Sequence, residues 1–289
     1  MVLDSDVSAS TKTSYFQESF PDRFIEVGIS EQDIIGVSAG LALSGKIPVA
    51  AAFANFIVGR AWEQIANTVA RQNLNVKIVG THSGLSPSAD GESHQSIADI
   101  ALMRVLPNML VECPADAAAA GNAIRSLLDR KGPAYLRLIR GSSPVVYPDD
   151  CELEIGKVKI LNEGEDATIM AAGGMVSIAL DAANVLEKEG ISINILDVHT
   201  IKPLDNSAII KSARRTGAII TVEEHSVIGG LGGAVAEVVS ESAPVPILRI
   251  GVRDRFGQSS RNYQALLKHY GLTSEAVVAA TKKMMKEKS

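Results

Sequence analysis

The chain has 289 residues, 46% of them hydrophobic and 21% charged, with a formal net charge of −5. This is the balance of an average soluble globular protein, and the length suits two domains that each bury a core. Acidic and basic residues are mixed throughout, which argues against a nucleic-acid-binding stripe or a charged tail.

From the N-terminus, Val2-Leu3 reads as a strand with nothing before it, so the first sheet is expected to begin one covering helix short. Residues 24–27 form a second strand-like run that ends at Gly28, and a helical pattern starts near Ser30. The most apolar stretch, 37–58, is interrupted by Lys46 and Pro48 and reads as helix, turn and buried strand rather than a membrane span. Residues 62–73 look helical, 76–80 look like a buried strand, and Pro114-Ala115-Asp116 opens a helix over 116–130. A strand follows at 134–139. The segment 141–155 has two prolines, a serine pair and an acidic pair, the chemistry of a linker. Beyond it the alternation restarts, with strands at 167–171, 191–198, 217–222 and 246–250 and helices at 177–190, 205–216 and 232–241. Such alternation predicts two α/β domains with largely parallel sheets, divided here as 1–147 and 148–289.

Two cysteines, Cys113 and Cys151, form neither a CxxC nor a Cys/His cluster, so no metal site is expected. Their scarcity fits a reducing, cytoplasmic setting. The opening MVLDSDVSAS lacks a basic stretch followed by an apolar one, so no secretory leader is expected.

Chemistry-bearing residues gather at strand ends, the edge at which open α/β sheets bind ligands. Glu31 falls in the first turn of a helix, where a carboxylate also simply complements the helix dipole. Phe53 and Phe56 follow a buried strand and read either as core or as a platform for a flat ligand. The polar loop 81–95 carries His82, Asp90 and His94, suited to proton transfer and hydroxyl recognition; their spacing is weak as a metal site. Arg140 ends another strand and suits a phosphate or carboxylate. Gly229-Gly230-Leu231-Gly232-Gly233 opens a helix without matching a phosphate-binding fingerprint, so tight packing is the expectation there, and Glu223, His199 and His225 are read as structural.

At Gly28-Ile29-Ser30-Glu31-Gln32, Ala52-Phe53-Ala54-Asn55-Phe56 and Thr81-His82…Asp90-Gly91-Glu92-Ser93-His94-Gln95, the chain resembles the transketolase family of thiamine-diphosphate enzymes over essentially its whole length. The resemblance implies two doubly wound α/β domains, a pyrimidine-binding domain followed by a transketolase C-terminal domain. It implies that Glu31 hydrogen-bonds the cofactor's aminopyrimidine, favouring the tautomer that can take a proton, that Phe56 stacks on that ring with Phe53 beside it, and that Asp6 and Ile29 also line the cofactor. It further implies that His94 and Asp90 read sugar hydroxyls, His94 with a catalytic role, and that Ser10, His82 and Arg140 receive the sugar's phosphate. The family's Gly-Asp-Gly and asparagine pair, which hold Mg²⁺ and the diphosphate, has no counterpart here, since Asp90-Gly91 follows an alanine. The expectation is therefore the C-terminal subunit of a split transketolase, active only with an N-terminal partner in a dimer of heterodimers, and acting on the sugar phosphates of the pentose phosphate pathway. A 1-deoxyxylulose-5-phosphate synthase shares the loop but has an arginine at the place of His82. The beta subunit of a 2-oxoacid dehydrogenase and a non-catalytic scaffold are the remaining alternatives.

Overall fold

The computed structural model describes residues 1–288. Its strands are β1 (Val2–Asp4), β2 (Phe24–Glu26), β3 (Val49–Phe53), β4 (Lys77–Thr81), β5 (Leu110–Glu112), β6 (Ala134–Arg137), β7 (Lys159–Asn162), β8 (Ala167–Ala171), β9 (Ile193–Asp197), β10 (Thr200–Lys202), β11 (Ile219–Ser226) and β12 (Ile247–Val252). They form a seven-stranded sheet in the order β10-β5-β6-β4-β3-β1-β2 and a five-stranded sheet in the order β12-β11-β8-β9-β7. Both are parallel apart from one edge strand each: β10 runs antiparallel to β5, and β7 antiparallel to β9. Residues 138–158 hold neither helix nor strand.

The fold is thus the α/β class that the alternation of strands and helices predicts, with two parallel-rich sheets in series. The central strands β4 and β8 are buried at every position, because helices cover both faces of each sheet. Helices Glu31–Leu43 and Ala54–Arg60 bring Ile34, Ile35, Ile57 and Val58 onto the first sheet, where they meet Leu3 and Ile78. Met175, Val176, Ala179 and Leu186 of helix Met175–Glu187 pack on the second sheet beside Ile169, Ile195 and Ile220. Fully burying one such side chain is worth about 1.5–3 kcal/mol, so each helix is held chiefly by this face.

Several elements differ from expectation. The stretch read as one helix over 62–73 is a short turn, Trp62–Gln64, that widens into a π-helix, Ile65–Ala70, with Ile65, Val69 and Ala70 buried. Strands β5, β7 and β10 and helices Asp99–Arg104, Tyr263–His269 and Ser274–Lys288 had no clear sequence signal. Strand β10 comes from the second half of the chain yet closes an edge of the first sheet, pairing Thr200 with Glu112 and Lys202 with Val111. Among the described residues no helix is long and apolar enough to cross a membrane.

The site follows from the first sheet's topology. Strand β1 has β2 on one side and β3 on the other, so the connection from β1 to β2 runs one way across the sheet and the next, from β2 to β3, runs back past β1. A crevice opens at such a switch point, beyond the C-terminal ends of the strands.

Candidate active site

Five neighbouring parallel strands, β6, β4, β3, β1 and β2, deliver the expected residues to one edge. After β2 the chain turns at Gly28 and enters helix Glu31–Leu43, whose first residue is Glu31. The Glu31 side chain is only 6% exposed, and both its oxygens accept from Arg60 Nη1 at 3.0 Å. Arg60 ends helix Ala54–Arg60, and its guanidinium lies 4.2 Å above the Phe56 ring, four residues back on the same helix. A buried carboxylate and an aromatic face thus open on one space, and a planar N–H donor already bridges them. The guanidinium shows that one flat, nitrogen-bearing group can lie on Phe56 and bond to Glu31 at once.

The exits of β1 and β2 are tied together by Glu26, whose Oε1 accepts the N–H of Asp6 at 2.8 Å and of Gly28 at 2.9 Å. This fixes Asp6, which sits in the left-handed region with φ of 61°, and Ile29, whose side chain is exposed. Asp4 organises the segment after β1 by accepting from the Val7 N–H at 2.8 Å and the Thr11 and Thr13 hydroxyls at 2.7 and 2.8 Å. Ser10 lies exposed on the short helix Ser8–Thr11 that results.

Beyond β3 and β4 four rings cluster. Phe53 lies 4.1 Å from His82 and 6.3 Å from both Phe56 and His94, and His94 meets Phe56 edge-on at 4.9 Å. Asn55 Nδ2 donates to the Ser93 carbonyl at 2.6 Å, which holds the His94 end of the loop against the phenylalanines. Arg140, three residues past β6, pairs with Asp90 at 2.7 Å rather than with the acidic linker. Burial, with the Arg140 charge beside it, pulls the His82 pKa down to about 4 despite the opposing charge of Asp90. His82 is therefore a neutral imidazole at pH 7. Glu31, Phe53, Phe56, His82, Asp90, His94 and Arg140 form one connected group, with Asp6 and Ile29 fixed at the adjoining strand exits. Of these, Asp6, Ile29, Asp90 and Arg140 are exposed, so the group is open on one side.

Sequence reasoning missed Arg60 and Glu26. The four-residue spacing from Phe56 could have signalled the first; Glu26 acts through backbone groups on a different strand and leaves no such trace. In the second half, the Glu223 carboxylate accepts the N–H of Leu231 at 2.7 Å and of Gly232 at 2.8 Å, so the protein itself fills the helix N-terminus that a phosphate would use. A Cβ at Gly230 would overlap Glu223 and His225, which is the packing role expected of this glycine run. Among the described residues no group of three or more His, Cys, Asp or Glu side chains is placed to hold a metal ion.

Comparison with known proteins bears on this geometry. The family described as "Transketolase, pyrimidine binding domain" matches residues 1–145, and "Transketolase, C-terminal domain" matches residues 156–277. A Methanocaldococcus jannaschii protein with the provisional description "transketolase C-terminal section" is 48% identical over 99% of this chain and 90% of its own length. A 6-deoxy-6-sulfo-D-fructose transketolase subunit of a Clostridium species is 41% identical, covering 100% of this chain and 89% of the relative. A solved structure described as a split gene transketolase, in an inactive β4 tetramer, superposes with a TM-score of 0.92 at 50% identity, covering 99% of this chain and 92% of the other.

Proposed function

Because the chain belongs to the transketolase family, we propose that it is the subunit of a two-chain transketolase that supplies the pyrimidine and sugar sites. The enzyme would move a two-carbon ketol unit from a ketose phosphate to an aldose phosphate. The observation that carries this reading is the pairing of Glu31 with Phe56, bridged by the planar Arg60 guanidinium. The residues therefore fit thiamine diphosphate through its aminopyrimidine ring, with Glu31 on a ring nitrogen, Phe56 and Phe53 against its face, and Asp6 and Ile29 at its margin. When bound, that cofactor supplies the stabilisation of negative charge that breaking the bond between C2 and C3 of a ketose requires.

The chain's own groups do the rest. Glu31, buried among helix residues, holds one proton at the ring nitrogen in a fixed direction, which water could not do. His94 and Asp90 lie on one loop and read the hydroxyls of the sugar, His94 also passing a proton. Arg140 brings the positive charge for the sugar's phosphate. His82, kept neutral by its burial, offers that phosphate a ring N–H rather than a second charge. Ser10 adds a hydroxyl from the β1 side. The split-gene name of the 50% identical structure supports a separate partner chain, which would carry the diphosphate and Mg²⁺ in a dimer of heterodimers with sites between chains. A cytoplasmic enzyme of pentose phosphate metabolism is the setting that fits. A relative named for a sulfonated sugar makes a sulfonate an alternative to the phosphate, because both present an oxyanion to Arg140.

The test mixes the chain with its N-terminal partner, thiamine diphosphate and Mg²⁺. Consumption of xylulose 5-phosphate should depend on ribose 5-phosphate and on both chains, with 6-deoxy-6-sulfofructose as a parallel donor. Turnover of pyruvate with glyceraldehyde 3-phosphate, and of no ketose donor, would replace this reading by that of a 1-deoxyxylulose-5-phosphate synthase.

A further inference from the structure

The loop that carries His82, Asp90 and His94 is polar in sequence, yet residues 82–88 are all buried. Phe53 covers His82 from the first domain, but Leu85 joins the core of the second, and part of the loop's cover comes from that half of the chain. Alternation along β11 sends neighbouring side chains to opposite faces of the sheet. Glu223 turns to its own domain and caps helix Leu231–Ser242, while Glu224 turns to the first domain. There Glu224 Oε1 accepts the N–H of Leu85 at 2.6 Å and Oε2 accepts the hydroxyl of Tyr263 at 2.7 Å. Its carbonyl accepts from Arg137 Nη2 at 2.9 Å, and Arg137 is itself fixed by Asp99 at 2.8 Å. Position 84 must be glycine for this contact to exist: its φ is +62°, and a Cβ there would lie 2.6 Å from the Glu224 carboxylate carbon.

Two more bonds fasten the same loop from the same side. The Ser260 N–H donates to the Ser88 carbonyl at 2.9 Å, and Gln95 Nε2 donates to the Gln258 carbonyl at 2.9 Å. The loop is thus pinned at Leu85, Ser88 and Gln95, on both sides of Asp90. Glu31 and Phe56 have none of these attachments; they rest on helices of the first domain.

We propose that Glu224, held by Tyr263, is a positioning residue that sets the sugar-reading loop, so that the second domain governs sugar recognition without touching the cofactor's pyrimidine. This rests on the transketolase reading above. A displaced loop would move Asp90 and His94 relative to the substrate, and small misplacements of such groups cost binding steeply. Cofactor affinity, which draws on other elements, would stay as it was.

Three variants of the full chain, assembled with the N-terminal partner, test this. Tyr263→Phe should raise KM for the ketose phosphate about fivefold and Glu224→Ala about thirtyfold, while Glu224→Gln, which keeps an acceptor for Leu85, should recover most of the loss. The dissociation constant for thiamine diphosphate should stay within about twofold in all three. Equal loss of sugar and cofactor affinity, or an unchanged KM, would overturn the proposal. Should Glu224→Ala not fold, Tyr263→Phe decides. Amide hydrogen exchange on the chain alone separates this idea from the assignment of function. In Tyr263→Phe, residues 82–95 should exchange about tenfold faster, with helix Glu31–Leu43 unchanged. Unaltered exchange in that loop would refute the anchor whatever the site binds. Faster exchange in an assembly that turns over no sugar would leave the anchor standing and remove the transketolase reading.

Discussion

Each half of the molecule places a glutamate where a parallel strand hands over to a helix, and the two are used in opposite ways. Glu223 spends both oxygens on backbone N–H groups of its own helix and lies sealed beneath Gly230. Glu31 gives its oxygens to Arg60, a side chain that is half exposed. An acid at the start of a helix is an ambiguous sign for that reason. Under the function proposed above, what separates the two is that fixed backbone consumes the acceptor capacity of Glu223, whereas Glu31 bonds a side chain that a ligand could replace.

The contrast can be broken most sharply at Glu31. In the assembled enzyme, Glu31→Ala should lower kcat about 100-fold or more while the melting temperature of the chain shifts little. Near-normal turnover would refute the role assigned to this carboxylate. Glu223→Ala should show the reverse pattern. Losing two buried backbone bonds should cost about 2 kcal/mol in urea denaturation, with KM values unchanged in the folded fraction. A stable variant with altered KM would erase the distinction between the two glutamates.

Arg140→Ala sharpens the comparison within the open half. KM for phosphorylated sugars should rise about tenfold, and that for their unphosphorylated counterparts much less. Equal changes for both would remove the phosphate from this corner of the site. A last test concerns a third buried carboxylate, Glu112 at the end of β5. Burial pushes its pKa up to about 7, against a weak opposing bond from Thr200 at 3.4 Å, and its Oε2 has no hydrogen-bond partner. Folded Glu112 keeps a proton that the unfolded chain releases around 4.5. Its contribution to stability is therefore complete below about pH 4.5 and disappears as pH climbs through 7. Glu112→Gln should gain about 2 kcal/mol relative to the natural chain between pH 5 and pH 8, read from melting curves at each pH. An identical difference at both pH values would exclude a buried charge at this position.

Local patterning explains which parts of this fold could be read in advance. The strand at 167–171 and the helix opened by Asp116, whose side chain accepts the Ala119 N–H at 2.9 Å, announce themselves within a few residues. The three-residue strands β5 and β10 do not, because each exists only through partners distant in sequence. The same division runs through the site. Glu31, Phe56 and the loop histidines lie in compact motifs, whereas the bond from Leu85 to Glu224 spans 139 positions. A single sequence displays residue types and short spacings; it does not display which distant surface will come to rest on a loop.

Strand β10 also limits how this chain can be taken apart. A fragment cut in the linker after residue 147 would lack Thr200–Lys202 and expose the backbone edge of β5, inviting self-association in place of the missing pairing. Chimeras built by exchanging halves between relatives face the same demand: the donor of the second half must bring a β10 that fits the recipient's β5. The linker is a seam in the sequence, but modular engineering has to respect a border that runs through the sheet.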